Sequence, residues 1–275
     1  MIVALGAVPV IGSLGVALYE PREVKIVHLE IRLRRLPTDF DGLRLVQLSD
    51  IHFNSYMTQE HLRAIVEITN AQGPDLAVLT GDYVTQASHN TFPDKHAENA
   101  WPCAEVLRGI RAPLGRVAVL GNHDCATNPH IVAGAMSANN IQVLRNQSIP
   151  LERNGKRLWL VGVDDVVERY ARAELALKGV PSDECVLAVV HEPDFADEMR
   201  KYSVDFQISG HSHGGQIRFP VVGALYLPEL AKKYPMGYYR FGSFQLYTNR
   251  GIGVIDLPLR FMCPPEVTVF TLRSG

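Results

Sequence analysis

The chain has 275 residues, of which 47% are hydrophobic and 20% are charged. This composition is typical of a globular protein and excludes a collagen-like or disordered chain, and the length suits a single α/β domain. The net charge of -2 supplies no general basic surface, so we expect no nucleic-acid partner.

The first predicted element is an apolar N-terminal stretch. Residues 1–19 carry no charge and approach the roughly 20 apolar residues that a membrane span needs. We therefore divide the chain into an apolar anchor or signal-like segment, residues 1–20, and a domain of residues 21–275. Pro9 and three glycines interrupt the stretch, so an apolar element packed on the domain is the alternative.

Positive charges follow this stretch and do not precede it; the first of them are Arg22, Lys25, Arg32, Arg34 and Arg35. Under the positive-inside rule, an anchored chain would keep its domain in the cytoplasm. A start codon placed too late would remove an upstream arginine pair and reverse this inference toward export. We predict a membrane-associated protein on the cytoplasmic side, with export as the alternative.

Strands and helices alternate through the rest of the chain. Alternating apolar residues predict strands at 27–33 and 43–48. Thr58 can cap a helix whose buried face contains Leu62, Ile65, Val66 and Thr69. Further strands are predicted at 76–79, 117–120, 186–190 and 206–208, with a helix over 98–109 and strands joined by a tight turn within 142–163. This order of elements predicts the α/β class.

The cysteines are scattered along the chain without a C-x-x-C pair, at Cys103, Cys125, Cys185 and Cys263. This spacing suggests neither a zinc ribbon nor a disulfide framework. We predict free, buried thiols.

Five buried strands each end on polar groups that can bind a metal. In chain order these are Asp50-x-His52, Asp82, Asn122-His123-Asp124, His191 and His211-Ser212-His213. Ligands in open α/β sheets bind beyond the carboxyl ends of the strands, so the five endings can meet at one place. The groups contain no sulfur, which favours divalent manganese, iron or zinc. The two oxygens of Asp82 could bridge two ions.

These five blocks, in this order, resemble the calcineurin-like metallophosphoesterases over roughly residues 43–215. The resemblance implies a four-layer sandwich of two mixed β-sheets flanked by helices, with a dinuclear metal site at the carboxyl ends of the strands. It implies that one ion is held by Asp50, His52, Asp82 and His213, and the other by Asp82, Asn122, His191 and His211. Of the candidate metals we favour manganese.

The resemblance leaves His123 free for catalysis. Two cations about 3.5–4 Å apart would lower the pKa of a bridging water, and the resulting hydroxide would attack phosphorus directly. His123 would stabilise the developing charge or protonate the leaving oxygen. Asp124 would hold His123 in the family manner, or else act as a helix or turn cap. His89 and His96, in a long polar loop, are candidates for substrate contact.

Motifs near the carboxyl terminus resemble a bacterial membrane-associated branch of this family. They are Gly214-Gly215-Gln216, the NRGIG of residues 249–253, the LPLRF of residues 257–261 and Pro265-Glu266-Val267. Branch members are described as phosphodiesterases or phosphatases, and relatives include pyrophosphatases that cleave UDP-diacylglucosamine. The resemblance implies a phosphodiester or pyrophosphate substrate, with a lipid or nucleotide-sugar lipid among the candidates. Arg250 would bind a substrate phosphate, or form a structural salt bridge.

Residues 217–247 are rich in apolar and aromatic side chains and include Lys232 and Lys233. Such a loop beside His213 predicts contact with acyl chains and with an anionic membrane surface. An ordinary packed loop or hairpin is the alternative. We therefore expect a membrane surface as a partner.

Three other functions deserve comparison with this hydrolase. A phosphomonoesterase would share the fold and the metal site. A non-catalytic scaffold is disfavoured, because scaffolds of this fold tend to lose ligands or the catalytic histidine, and here every one of these residues is present. A nuclease is disfavoured because the sequence lacks a basic stripe with interleaved aromatic residues. The sequence thus predicts a metal-dependent phosphoric ester hydrolase.

Overall fold

The computed structural model describes residues 23–86 and 93–275. The predicted anchor segment, residues 1–20, and His89 lie outside the described residues. Within the described ranges, no helix is long and apolar enough to cross a membrane.

The strands of the first half of the described chain are β1 (Lys25–Leu33), β2 (Arg44–Leu48), β3 (Leu76–Leu79), β4 (Arg116–Ala118), β5 (Gln142–Val143), β6 (Gln147–Arg153) and β7 (Lys156–Gly162). Those of the second half are β8 (Cys185–Val189), β9 (Phe206–Ser209), β10 (Arg218–Phe219), β11 (Gly223–Ala224), β12 (Gly237–Phe241), β13 (Phe244–Thr248) and β14 (Glu266–Ser274). The helices are α1 (Gln59–Ala71), α2 (Pro93–Ala97), α3 (Ala100–Leu107), α4 (Asn122–Thr127), α5 (Pro129–Ala138), α6 (Ala173–Ala176) and α7 (Ala196–Met199). The predicted strands and helices are all present, with ends shifted by one or two residues.

Two six-stranded sheets form the centre of the domain. The first has the order β1-β14-β2-β3-β4-β5 and the second the order β12-β13-β9-β8-β7-β6. Both sheets are mixed: β14 is antiparallel to β2 in the first sheet, and β6 is antiparallel to β7 in the second. The β6–β7 pair is the predicted hairpin, with Arg153 paired to Lys156 across the Asn154-Gly155 turn.

Apolar residues hold the two sheets face to face. Alternate residues of β2 and β8, such as Leu45 and Leu187, point into one core between the sheets. A second core lies between the first sheet and helices α1, α3 and α5, and a third lies between the second sheet and the short helices α6 and α7. The result is the predicted four-layer sandwich of helices, sheet, sheet and helices.

Helix α1 forms as its sequence predicts. The Thr58 side chain accepts a hydrogen bond from the His61 N–H, which satisfies one of the amides left unpaired at a helix start. Its buried face consists of the predicted Leu62, Ile65, Val66 and Thr69. All four cysteines are buried thiols, as predicted.

Candidate metal centre

Five loops meet at one end of the sandwich. The loops after β2, β3 and β4 come from the first sheet and carry Asp50, His52, Asp82 and Asn122, and those after β8 and β9 come from the second sheet and carry His191, His211 and His213. Strands β2, β3 and β4 are parallel to one another, and so are β8 and β9, so within each sheet their carboxyl ends lie at the same edge. The site therefore forms only when the two sheets pack with these strand ends side by side.

One group of side chains consists of Asp50, His52 and His213, whose ligand atoms all lie within 4.8 Å of one another. The Nε2 atoms of His52 and His213 are 3.1 Å apart, and Asp50 Oδ1 lies 3.5 Å from His213 Nε2. Two imidazole nitrogens and a carboxylate oxygen thus converge on one point, the arrangement that a divalent cation needs.

A second group consists of Asp82, His191 and His211, within the same distance limit. Asp82 Oδ2 lies 3.2 Å from His191 Nε2 and 3.6 Å from His52 Nε2. Asp82 therefore stands between the two groups, as expected of a carboxylate that bridges two ions.

A buried oxygen atom that lacks a partner supports metal binding at these groups. Asn122 Oδ1 is buried without a hydrogen-bond partner. An orphaned buried polar atom costs about 1–3 kcal/mol, so native structures rarely keep one without a further partner such as an ion. The carboxylate, imidazole and amide donors are those of a divalent metal site, and the residues present fit two such ions.

Burial keeps most of the histidines in the neutral form that a metal binds. Burial, reinforced by the nearby His123, lowers the pKa of His52 to about 3. Burial also lowers the pKa of His211 to about 3 and that of His213 well below its usual range. Although burial opposes both charges, His191 and Asp82 stabilise one another as an ion pair, which raises the pKa of His191 and lowers that of Asp82.

In two of the histidines, a backbone carbonyl determines which ring nitrogen is available to a metal. His191 Nδ1 lies 2.6 Å from the Thr80 carbonyl oxygen, and His211 Nε2 lies 2.7 Å from the Glu229 carbonyl oxygen. A carbonyl oxygen only accepts, so each of these nitrogens carries the proton. His191 is left with Nε2 for an ion and His211 with Nδ1, as is usual for ligating histidines.

The backbone of the site is held in an uncommon conformation. Five of the seven predicted ligands have a positive φ: Asp50 (51°), His52 (49°), Asp82 (57°), His211 (68°) and His213 (49°). Non-glycine residues adopt this left-handed region rarely and at a cost of about 1–3 kcal/mol each, and such residues concentrate at functional sites. The strained backbone lowers the stability of the fold and directs these side chains toward the site.

Two glycines beside the ligands are required by close approach. A Cβ atom on Gly121 would lie 2.3 Å from Asp82 Oδ1, and one on Gly210 would lie 1.8 Å from the Ser49 hydroxyl and 2.4 Å from Asp50 Oδ2. No side chain fits at either position beside the ligands.

Residues 43–215 match the family model described as calcineurin-like phosphoesterase. The chain belongs to the calcineurin-like phosphoesterase family. Its relatives include the uncharacterised metallophosphoesterase YkuE of Bacillus subtilis, which is 36% identical over 98% of this chain and 93% of the relative. The phosphodiesterase YaeI of Escherichia coli is 29% identical over 83% of this chain and 82% of the relative. The UDP-2,3-diacylglucosamine pyrophosphatase LpxG of Chlamydia muridarum is 27% identical over 97% of this chain and 94% of the relative.

The phosphoesterase is therefore a metal-dependent phosphoester hydrolase, as the sequence predicted, and its family implies divalent metal ions at the clustered aspartate and histidine side chains. The expected resemblance to bacterial phosphodiesterases and UDP-diacylglucosamine pyrophosphatases is confirmed.

His123 lies at the edge of the site, half-buried, with its ring 4.8 Å from the ring of His52. Its Nδ1 accepts a hydrogen bond of 3.0 Å from the Gln86 backbone N–H, so the proton of the neutral ring is on Nε2. His123 also forms a third possible ligand group with His52 and Asp82. Sequence reasoning did not identify Gln86, because its contribution is a backbone amide rather than a side chain.

The hydrogen bonds of Asp124 do not include the predicted contact with the His123 ring. Its carboxylate is fully buried and accepts hydrogen bonds from the backbone N–H groups of Asp82, Tyr83, Val84 and Gly121, at 2.8–3.2 Å. The hydrogen bonds of the carboxylate go to backbone amides, and the His123 ring bonds to Gln86. These contacts favour the alternative role, that of a cap that joins the β3 loop to the start of α4.

Arg250 likewise makes the salt bridge that was the alternative to phosphate binding. Its Nε donates to the carboxylate of Glu266, which is only 2% exposed and also accepts from the hydroxyls of Tyr247 and Thr268. A buried carboxylate needs such a partner, and the Nε of Arg250 supplies it.

Arg260 is a site residue to which the sequence assigned no role. It is fully buried, donates to the carbonyl oxygens of Gly253 and Cys263, and places Nη2 3.4 Å from His213 Nδ1. The signal in the sequence is an arginine alone in an apolar run, LPLRFM, because a charge there must find partners inside the fold.

A cavity of about 420 Å³ opens over the metal centre. Polar groups of the site form its floor, among them Asp82, Asn122, His123 and His211. Its wall is mostly apolar and is formed by Ile217, Leu225, Tyr226, Pro228, Ile255 and Leu257. A phosphoryl group at the floor would therefore have apolar surface beside it.

The segment 217–247, predicted as one apolar loop, divides into two parts. Four residues of its first part, Ile217, Leu225, Tyr226 and Pro228, line the cavity. In the second part, Tyr234 and Tyr239 pack on the outer core of the second sheet, and Lys233 forms an ion pair with Asp197. This second part is the packed structure given as the alternative. His96 lies in α2 and is not among the residues that line the cavity.

Proposed function

We propose that the phosphoesterase hydrolyses a phosphodiester or pyrophosphate bond with two divalent ions, manganese being favoured. Asp50, His52, Asp82 and His213 would hold one ion, and Asp82, Asn122, His191 and His211 the other. The observation that carries the proposal is the position of Asp82 Oδ2, 3.2 Å from His191 Nε2 and 3.6 Å from His52 Nε2. That position supports one carboxylate serving both groups.

Two bound ions would supply an activated water and neutralise charge on the phosphoryl oxygens. The chain's own residues do the rest. Thr80 and Glu229 hold His191 and His211 in place through their carbonyl oxygens. Because the Gln86 N–H occupies His123 Nδ1, the Nε2–H of His123 is the group available to the substrate. It would donate to a phosphoryl oxygen or protonate the leaving oxygen, a contribution of about 100- to 10,000-fold for a general acid.

The apolar cavity wall supports a substrate with an apolar part beside its phosphorus. Leu225, Tyr226 and Leu257 stand next to the polar floor. The relative LpxG is a pyrophosphatase of a diacylated nucleotide sugar and is similar over 97% of this chain. We therefore favour a lipid or nucleotide-sugar lipid, reached at a membrane surface with which the N-terminal segment associates, on the cytoplasmic side.

The test incubates the pure protein and a His123→Ala variant with manganese and a panel of substrates. The panel contains nucleotide-sugar lipids, phospholipids, cyclic nucleotides and monoesters. We expect cleavage of diesters or pyrophosphates with acyl chains, and a loss of that cleavage in the variant with its manganese content unchanged. Cleavage of monoesters alone would contradict the proposed substrate class.

A further inference from the structure

The exposed apolar residues of the described chain are concentrated at the mouth of the cavity. Seven of the thirteen large hydrophobic residues exposed in the described ranges belong to residues 217–228 and 255–262, here named the apolar rim. They are Phe219, Val221, Val222, Leu225, Tyr226, Leu257 and Met262. Exposed apolar residues scattered singly are ordinary, but a contiguous group marks an interaction surface.

The rim is one built unit rather than two loose loops. The ring of Phe219 packs against the ring of Phe261 at 5.4 Å, and the Arg218 N–H donates to the Phe261 carbonyl oxygen at 2.9 Å. The Gln216 side chain bonds to the backbone of both Ile255 and Leu257. The two segments therefore present their apolar side chains together.

The tip of the β10–β11 hairpin, residues 220–222, is exposed. Val221 is fully exposed and has a φ of 68°, and Val222 is 72% exposed. A β-branched side chain is strained in this left-handed region, where glycine would be relaxed. Neither valine lines the cavity. Their apolar side chains therefore serve neither the core nor the cavity.

Charge is nearly absent from the rim. Its charged residues are Arg218, Asp256 and Arg260. Arg260 is fully buried, and Arg218 donates to the Gly214 carbonyl oxygen. A surface with so little charge suits the headgroup and acyl boundary of a bilayer, where Tyr226 can keep its hydroxyl in water.

The described part of the chain begins at the same end of the domain. The first strand starts where the Lys25 N–H donates to the Pro265 carbonyl oxygen at 2.8 Å. Pro265 is three residues from the exposed Met262 of the rim, and Glu266 beside it donates its N–H to Gly251 in the loop next to Asp50. The described chain thus begins beside the rim and the metal centre, and residues 1–19 of the sequence are uncharged.

We infer that the apolar rim is a membrane-docking surface, with the tip valines Val221 and Val222 inserted at the bilayer interface and the mouth of the metal cavity facing the lipid. Docking would place the cavity at the depth where the phosphate of a lipid lies. The inference concerns binding and does not require that the chain hydrolyse any particular ester.

The test places an environment-sensitive nitrobenzoxadiazole fluorophore on the full chain through Val222→Cys. The four native cysteines are buried, so the new thiol is the one that reacts. The matched control carries the same label through Leu175→Cys, at a residue of α6 that is 55% exposed and outside the rim. Both proteins are mixed with vesicles of phosphatidylethanolamine and phosphatidylglycerol, and flotation measures the bound fraction.

We expect a blue shift and roughly a twofold or larger rise in fluorescence for the label at position 222 on vesicle binding, and no change at position 175. Flotation without a change at position 222 would overturn the inference, because the rim would then remain in water and be left for a protein partner. Equal changes at both positions, or no flotation at all, would overturn it too. Hydrolysis does not enter any of these readings, so failure of the proposed activity would be seen separately.

Discussion

The metal centre and the apolar rim are adjacent but are built in opposite ways. Asp50, His52 and His191 are fully buried at strand ends. Val221 and Val222 stand exposed on a short hairpin that contributes little to any core. Sites that need fixed geometry are held by rigid elements and their supporting hydrogen bonds. Surfaces that meet a variable partner are placed on loops above such a scaffold.

This contrast suggests that the metal centre determines the reaction and that the rim determines which substrate is chosen. Hydrogen bonds such as that of His191 with Thr80 fix the positions of the side chains in the centre. The rim is defined by its apolar character rather than by directed bonds. Changes in the centre should therefore act on kcat and metal content, and changes in the rim on the choice of substrate.

The largest effect is expected from Asp82→Ala, because Asp82 stands between both ligand groups. We expect kcat to fall at least about 1,000-fold, since metal ions supply several kcal/mol of transition-state stabilisation and each 1.36 kcal/mol is tenfold in rate. Bound metal, measured by plasma mass spectrometry, should fall at both positions. Asp183 is exposed, and Asp183→Ala is the matched control that should keep metal and activity. Retention of both ions in Asp82→Ala would contradict the bridging role.

His123→Ala should lower kcat by about 100- to 10,000-fold, the range for loss of a general acid. Metal content should remain that of the unaltered protein, because His123 is proposed to act on the substrate. Since His123 also lies close enough to His52 and Asp82 to ligate, the metal measurement decides between the two roles. A parallel loss of metal would make His123 a ligand.

Asp124→Ala should act on stability first. The change removes the acceptor of four buried backbone N–H groups, and each such group left unpaired costs about 1–3 kcal/mol. We expect the free energy of unfolding, measured by urea denaturation, to fall by at least about 3 kcal/mol. Asp124→Asn keeps one acceptor oxygen and should lose less. Unchanged stability with lost activity would instead support the role of orienting His123.

The smallest effect is expected from the cavity wall. Leu225→Ala with Leu257→Ala removes apolar surface above the polar floor. We expect KM for an acylated diester to rise about tenfold, the equivalent of roughly 50–60 Å² of lost apolar contact at 25 cal/mol per Å². The turnover of bis(p-nitrophenyl) phosphate, which lacks acyl chains, should stay within about twofold, a change of less than 0.5 kcal/mol. A similar change in both substrates would show that the wall does not select for apolar groups.

Much of the centre could be predicted from sequence because each part is local. A strand followed by Asp-x-His, Gly-Asp or Gly-His-Ser-His places a polar side chain at a known edge, and five such endings in one chain indicate one site. The buried face of α1 and the turn at Asn154-Gly155 were predictable for the same reason, because their periods and turn residues lie within short windows.

The arrangement of the strands could not be predicted. The first sheet joins β1 to β14 across most of the chain, with Lys25 paired to Glu266. It also inserts β14 between β1 and β2. Nothing in a local window encodes such a partner, nor that His191 and His211 would come from a different sheet than Asp50.

The role of an individual residue was hardest to predict where its residue type can either contact substrate or support the structure. Asp124 and Arg250 lie beside the motif residues, yet their partners are backbone amides and Glu266. Arg260, which contacts His213, was not singled out for any role. A charged residue near a site looks the same in sequence whether it contacts substrate or supports a loop, and its partners decide.

We propose that two ions, held by seven side chains from two sheets, make this chain a hydrolase. The most direct measurement strips the pure protein with a chelator, counts the remaining metal by plasma mass spectrometry, and follows hydrolysis of bis(p-nitrophenyl) phosphate as manganese is returned. We predict that activity disappears with the metal and returns in step with binding that saturates at two ions per chain. Undiminished turnover by the metal-free protein would contradict this account.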